Sequence, residues 1–286
     1  VLSFEKDPIM VLYLRDIRER IRMEREIKIQ SEIIEQKNKD ITDSIKYALR
    51  IQSVILPSGN LIREHLPDSF ILYKPKDIVA GDFYWMETKG DWIFFAACDC
   101  TGHGVPGAMV SVVCHNALNR AVREFGLVQP AAILDKVSEI VIEIFAKSDE
   151  KINDGMDVSL CAYNSKTKTL HWAGANSPLW IINNGNLIET KADKQFIGHS
   201  EYRQAFTHHE HQLSDGDKVY NFTDGFAYQF GGEKEKKLTR KRFKELLLSL
   251  PNDSMQIQGS NLEEFLSEYK KQIEQTDDIL VMGLKV

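Results

Sequence analysis

The chain is poor in residues that break or staple structure. It has 8 prolines, 17 glycines and 4 cysteines in 286 residues. No glycine falls between Val1 and Gly59, and no proline between Pro8 and Pro57. A stretch without breakers excludes a loop-rich N-terminal region, because turns depend on those residues. Cys98, Cys100, Cys114 and Cys161 include no C-x-x-C pair. That spacing argues against a zinc ribbon or a dithiol redox motif. Reduced, buried thiols in a cytoplasmic protein are the expectation. No apolar run approaches the roughly 18 residues of a membrane span. The N-terminus lacks a basic segment followed by an apolar one, so it does not read as a signal peptide. The formal charge of −6 carries no basic excess, and no nucleic-acid partner is expected. Neither G-x-S-x-G nor G-x-x-x-x-G-K-[ST] occurs, so a nucleophile elbow and a P-loop are both missing. A start at Val1 without Met reads as a fragment of a longer chain.

What is present begins with a long polar helix over residues 10–56. Ile27, Ile34, Ile41, Ala48 and Ile55 recur every seven residues, which is one apolar coiled-coil seam. The second seam (Met23, Gln30, Lys37, Ser44, Ile51) is poor. A parallel homodimer through residues 10–56 is the expectation. Packing of Ile51 and Ile55 against the following domain is expected to carry a signal.

Pro57-Ser58-Gly59 ends that helix, and strands begin near Phe70. The spacing predicts strands at 69–73, 83–85, 92–97, 158–163, 170–174, 179–182, 187–190, 205–213, 218–223 and 279–284. Helices are predicted over 108–125, over 131–146 behind Pro130, over 240–248 with Thr239 as N-cap, and to about Gln275 from a Ser260-x-x-Glu263 capping box. Lys147 to Gly155 is polar and reads as mobile. Strands joined mostly by hairpins, with the later helices in two pairs, argue for an antiparallel α+β fold.

The chemistry centres on Asp99-Cys100-Thr101-Gly102-His103-Gly104. A buried strand delivers Asp99 to its C-terminal end, and a glycine turn then opens a helix. Asp224 also ends a strand, while Asp82, Asp157, Asp277 and Asp278 each precede one. Neighbouring antiparallel strands place such ends side by side. Carboxylates crowded on one rim do not ionise together cheaply. A hard divalent cation such as Mg²⁺ or Mn²⁺ resolves that, and two such ions can activate water against a phosphoryl group. His208-His209-Glu210-His211 has the composition of a metal tract, but it lies in an alternating pattern and reads as a surface strand. Lys234 to Lys237, with Arg240, Lys241 and Arg242, reads as a solvated basic loop.

Val79-Ala80-Gly81-Asp82-Phe83-Tyr84-Trp85, Asp99 to Gly104, Thr223-Asp224-Gly225 and Thr276-Asp277-Asp278-Ile279 occur in order. Together they resemble the metal-dependent PPM-type protein serine/threonine phosphatases, in their bacterial SpoIIE/RsbU-type branch. Lys46 to Pro57 and Trp172 to Leu179 resemble further segments of that branch. The resemblance implies an αββα sandwich of two antiparallel sheets flanked by helices, with residues 57–286 as phosphatase domain and 1–56 as helical linker. It implies two Mn²⁺ or Mg²⁺ ions held by Asp82, Asp99, the Cys100 carbonyl, Asp224 and Asp277, with Asp278 an alternative to Asp277. His103 matches a proposed general acid, and Asp157 a third, weaker metal position. The phosphate-holding arginine of eukaryotic relatives has no match here. The implied substrate is a phosphorylated regulatory protein, such as a STAS-type anti-sigma antagonist, and an upstream sensor domain would feed the helix. A non-catalytic partner-switching module and a metal-dependent phosphodiesterase are the competing readings.

Overall fold

A computed structural model of the chain describes residues 8–147 and 153–286, with side chains from Glu19 onward. The long helix α1 (Pro8–Ile55) and the short α2 (Gly59–His65) flank the Pro57 break. Strands β1 (Ser69–Lys74), β2 (Phe83–Lys89) and β3 (Trp92–Cys100) lead into helices α3 (Gly104–Arg123) and α4 (Pro130–Phe145). Then come β4 (Met156–Asn164), β5 (Thr169–Ala175), β6 (Leu179–Asn183), β7 (Asn186–Thr190), β8 (His209–Gln212) and β9 (Lys218–Phe222). The chain finishes with α5 (Gly225–Tyr228), the ribbon β10 (Phe230–Gly231) and β11 (Lys236–Lys237), α6 (Thr239–Ser249), α7 (Met255–Lys270) and β12 (Ile279–Lys285). The expected connection at 147–155 falls largely outside the described residues.

The described residues divide into two compact units, with the boundary between Ala48 and Leu49. In the first, Ile27 is 68% exposed, and Ile34 and Ile41 are exposed too. Pairs four residues apart, such as Arg20–Glu24 and Arg22–Glu26, each add about 0.2–0.5 kcal/mol to an exposed helix.

The second unit holds two five-stranded antiparallel sheets, in the orders β1-β12-β9-β6-β7 and β2-β3-β4-β5-β8. Alternation along the strands sorts their side chains to opposite faces. Phe94 and Ala96 turn outward beneath α3 and α4, meeting Leu118, Ile133 and Leu134. Phe95 turns inward and packs with Trp172, Leu179 and Leu280 between the sheets. Over the other sheet, Phe222 and Val281 meet Phe243 of α6 and Leu262 of α7. Each fully buried side chain of this size contributes about 1.5–3 kcal/mol, so both helix layers are held by their apolar faces. The architecture is the expected αββα sandwich, preceded by a long helix.

Three expectations are corrected. Helix α7 begins at Met255, not at Ser260, because Ser254 caps it by accepting from the Ile257 amide. Ser260 instead donates to the Gln256 carbonyl, and Glu263 pairs with Lys74. Strand β8 is only four residues long, because Thr207 is drawn off the ladder by Asp193. In α1, Ile51 is 53% exposed and Ile55 only half-buried; the buried residue is Gln52, 3% exposed.

Candidate active site

Asp99, the residue before the last of β3, stands directly opposite Asp157, the second residue of β4. Asp82 lies just before β2 on the other side of β3. In the facing sheet, Asp224 follows β9, and Asp277 and Asp278 precede its neighbour β12. One edge of the sandwich therefore gathers all the expected acids. Thr223 ties the two sheets there: its amide donates to Leu280 O at 3.0 Å and its hydroxyl to Asp82 Oδ2 at 2.6 Å.

Asp99, Cys100, His103, Asp157, Asp224 and Asp277 line one cleft of about 410 Å³. Asp82, 3% exposed, does not line it but lies close enough to Asp99 for that charge to raise its proton affinity. Asp278 is different. Its carboxylate accepts from the amides of Lys76 and Gly81, both at 2.7 Å, and of Asp82 at 3.5 Å. It holds the loop that carries Asp82, while Asp277 faces the cleft.

Among the described residues no ion pair joins any of the five other acids to Lys, Arg or His. Burial, followed by the charge of Asp99, pushes Asp82 well above the usual carboxylate range. Burial, followed by the charge of Asp224, does the same to Asp99. Asp157 and Asp224 are raised too, chiefly by burial. Arg240 and Lys237 partly oppose the shift at Asp224, and Arg240 also acts on Asp157. Arg240, from a segment read as a solvated loop, thus lies within electrostatic range of the site without lining the cleft, and its Nε is buried without a hydrogen-bond partner among the described residues.

The glycines of the motifs are explained by close approach. Gly102 adopts φ +81°, a conformation costly for side chains. A Cβ on Gly81 or on Gly107 would collide with the Gly102 carbonyl, so the β2 entry, the turn and the start of α3 pack backbone to backbone.

Some of the site carries no motif. His103 Nδ1 lies 2.9 Å from Asp77 Oδ2, and its Nε2 lies 3.4 Å from Lys76 Nζ. Asp77 accepts the Nδ1 proton and fixes the ring. Asn176, in the left-handed region at φ 55°, donates to Asp157 Oδ1 at 2.8 Å. Gln52 accepts from the Ala80 amide at 3.1 Å and donates to the Ala80 carbonyl at 2.6 Å and to Ser111 Oγ at 3.1 Å. It clamps the residue two before Asp82. An amide side chain late in a polar helix, with one position of its seam buried, is the only signal that could have pointed to it.

Comparison with known proteins adds independent findings. Residues 89–286 match the family model for stage II sporulation protein E. The SiaA PP2C domain of Pseudomonas aeruginosa superposes with a TM-score of 0.79 at 31% identity, over 87% of this chain and 98% of that one. The PP2C phosphatase domain of SpoIIE from Bacillus subtilis, solved with a fragment of its regulatory domain, gives 0.62 at 18% identity, over 77% and 63% of the two chains. A Mycobacterium tuberculosis structure of RsbU and RsbW domains gives 0.60 at 18% identity, over 77% and 60%. No curated protein matches the chain. With the ordered acid motifs on one rim of an αββα sandwich, these findings place the chain in the SpoIIE family, as a PPM-type protein serine/threonine phosphatase.

Proposed function

We propose that the chain hydrolyses phosphoserine or phosphothreonine on a regulatory partner protein, using two divalent ions, Mn²⁺ or Mg²⁺. The observation that carries this reading is the rim itself: buried or half-buried carboxylates with raised proton affinity and no ion-pair partner. All-oxygen donor sets of this kind suit hard cations. Asp82, Asp99, the Cys100 carbonyl, Asp224 and Asp277 would hold the ions, and Asp157, braced by Asn176, stands ready for a weaker third. When bound, the ions supply Lewis-acid activation of water and neutralise the phosphoryl charge.

The chain's own residues do the rest. Asp278 and Thr223 hold Asp82 in place. Asp77 holds the Nδ1 proton of His103, which leaves Nε2, once Lys76 vacates it, to take up a proton from water and pass it to the leaving seryl or threonyl oxygen. Residues 57–286 are taken as the phosphatase domain. The helix before it would form the homodimer and relay input from an upstream sensor, with Gln52 as the contact that reaches the Asp82 loop. A cytoplasmic setting suits the four buried, unpaired thiols. The RsbW domain that accompanies RsbU in the M. tuberculosis structure supports a partner-switching role, with a STAS-type antagonist as substrate.

The test is an assay of metal-stripped protein on a phosphoserine protein, an aryl phosphate and a cyclic dinucleotide. Turnover of the phosphoprotein that returns only with Mn²⁺ or Mg²⁺ is expected. Full activity without metal, or preference for the dinucleotide, would overturn the reading.

A further inference from the structure

We propose a second metal site, for a borderline transition ion such as Zn²⁺, built from His171, His208 and Glu210. The tract His208-His209-Glu210-His211 is divided by strand alternation. His209 and His211 face one way: His209 packs on Trp172, and His211 Nε2 lies 3.1 Å from Thr190 Oγ1. His208 and Glu210 face the other way. There Glu210 stands directly opposite His171 of β5, and His171 Nε2 is 3.7 Å from Glu210 Oε2. The rings of His171 and His208 meet edge to face at 4.8 Å.

One ligand atom from each of the three residues lies within 4.8 Å of the others. Zinc bonds of about 2.0–2.2 Å in a tetrahedron require ligand atoms roughly 3.4 Å apart. His171 Nε2 and Glu210 Oε2 are already 3.7 Å apart, so the remaining adjustment is that of His208 toward this pair. Two further observations favour a ligand. Nδ1 of His208 is buried with no hydrogen-bond partner among the described residues, a loss that coordination repairs. Trp92 packs against His171 with ring centroids 4.6 Å apart and planes tilted by 36°, which limits the ring's motion, as a preorganised ligand requires.

The site is separate from the catalytic rim. His171 pairs through Ala162 with Phe94, five residues along β3 from Asp99, which is roughly 17 Å at the rise of a strand. The chemistry differs as well. Two imidazoles and one carboxylate select Zn²⁺, Cu²⁺ or Ni²⁺, whereas the all-oxygen rim selects Mg²⁺ or Mn²⁺. An ion here would cross-link β8 to β5. It would also anchor the end of the 191–208 segment, which carries Phe196 into the catalytic cleft.

The experiment is calorimetric titration of the full chain with Zn²⁺ after EDTA treatment, in millimolar Mg²⁺ to load the rim. The expected result is one Zn²⁺ per chain. Affinity should fall by more than about 100-fold in His171→Ala and in His208→Ala, since losing a ligand costs more than losing the group that supports it. Glu210→Gln, on an exposed side chain that does not threaten folding, should also weaken binding. His199→Ala and Asp99→Asn should leave it unchanged. No zinc binding, binding unaltered in Glu210→Gln and both folded histidine variants, or binding lost in Asp99→Asn would overturn the proposal.

Discussion

Replacing Gln52 by Ala tests whether the end of the long helix governs the metal rim. Gln52 is 3% exposed and satisfies both backbone groups of Ala80, itself fully buried. Ala at position 52 leaves that amide and carbonyl without partners in a place water does not reach. Each buried unsatisfied group costs about 1–3 kcal/mol. Ala80 precedes Gly81 and Asp82, so the cost falls on the loop that Asp278 holds from the other side. If about 2 kcal/mol of it is spent loosening that loop, the metal-competent population falls about 30-fold. Half-saturating Mg²⁺ should then rise by a similar factor, while the rate at saturating metal stays close to that of the parent. Ser111→Ala removes one of the three hydrogen bonds and leaves Ala80 paired, so it should shift the metal requirement much less. The assay is phosphatase rate against Mg²⁺ concentration, with thermal unfolding measured in parallel. A lower melting temperature with unchanged half-saturation would show that Gln52 only stabilises the fold, and would refute the coupling.

Asp99→Asn should be more damaging than His103→Ala. The first removes a carboxylate proposed to hold the ions, and the second removes a proton donor typically worth about 10²–10⁴ in rate; a silent Asp99→Asn would remove the metal assignment. The metal-free protein should lose stability as pH rises. Asp82, Asp99, Asp157 and Asp224 have folded values above those of free aspartate, so the native state binds more protons from pH ~4 upward, and rising pH costs stability. Saturating Mg²⁺ should flatten that slope, and melting curves across pH that were flat without metal would contradict it. Replacing Ile27, Ile34 and Ile41 together by Asp should give monomers by light scattering, with the catalytic fold intact.

The parts of the site that were legible in the sequence are those whose meaning is local. Asp99 and Asp224 each end an apolar run and lead into glycine, so strand, acid and turn stand next to one another. The two sheets and their helix layers were legible because periods of two and 3.6 residues mark which face is buried. The start of α7 was misplaced because Ser260-x-x-Glu263 has the capping-box pattern, whereas Ser254, the actual cap, has Ile257 at the third position. Only the fold shows that Met255 is buried. Gln52, Asp77 and the clamping role of Asp278 were not legible. Gln52 meets Ala80 across 28 residues, and Asp278 meets Lys76 across 202. A lone polar residue in a helix or loop carries no pattern, and its partner is set only by how the layers close. Arg240 escaped for the same reason, since its neighbours in sequence are solvated.

The central claim is that the carboxylate rim holds the catalytic ions. Anomalous diffraction at the manganese edge, from crystals of the full chain grown with Mn²⁺, tests it most directly. The account predicts two strong peaks bounded by Asp82, Asp99, the Cys100 carbonyl, Asp224 and Asp277, both lost in Asp99→Asn crystals. A rim empty of manganese in a protein that still hydrolyses phosphoserine would contradict it.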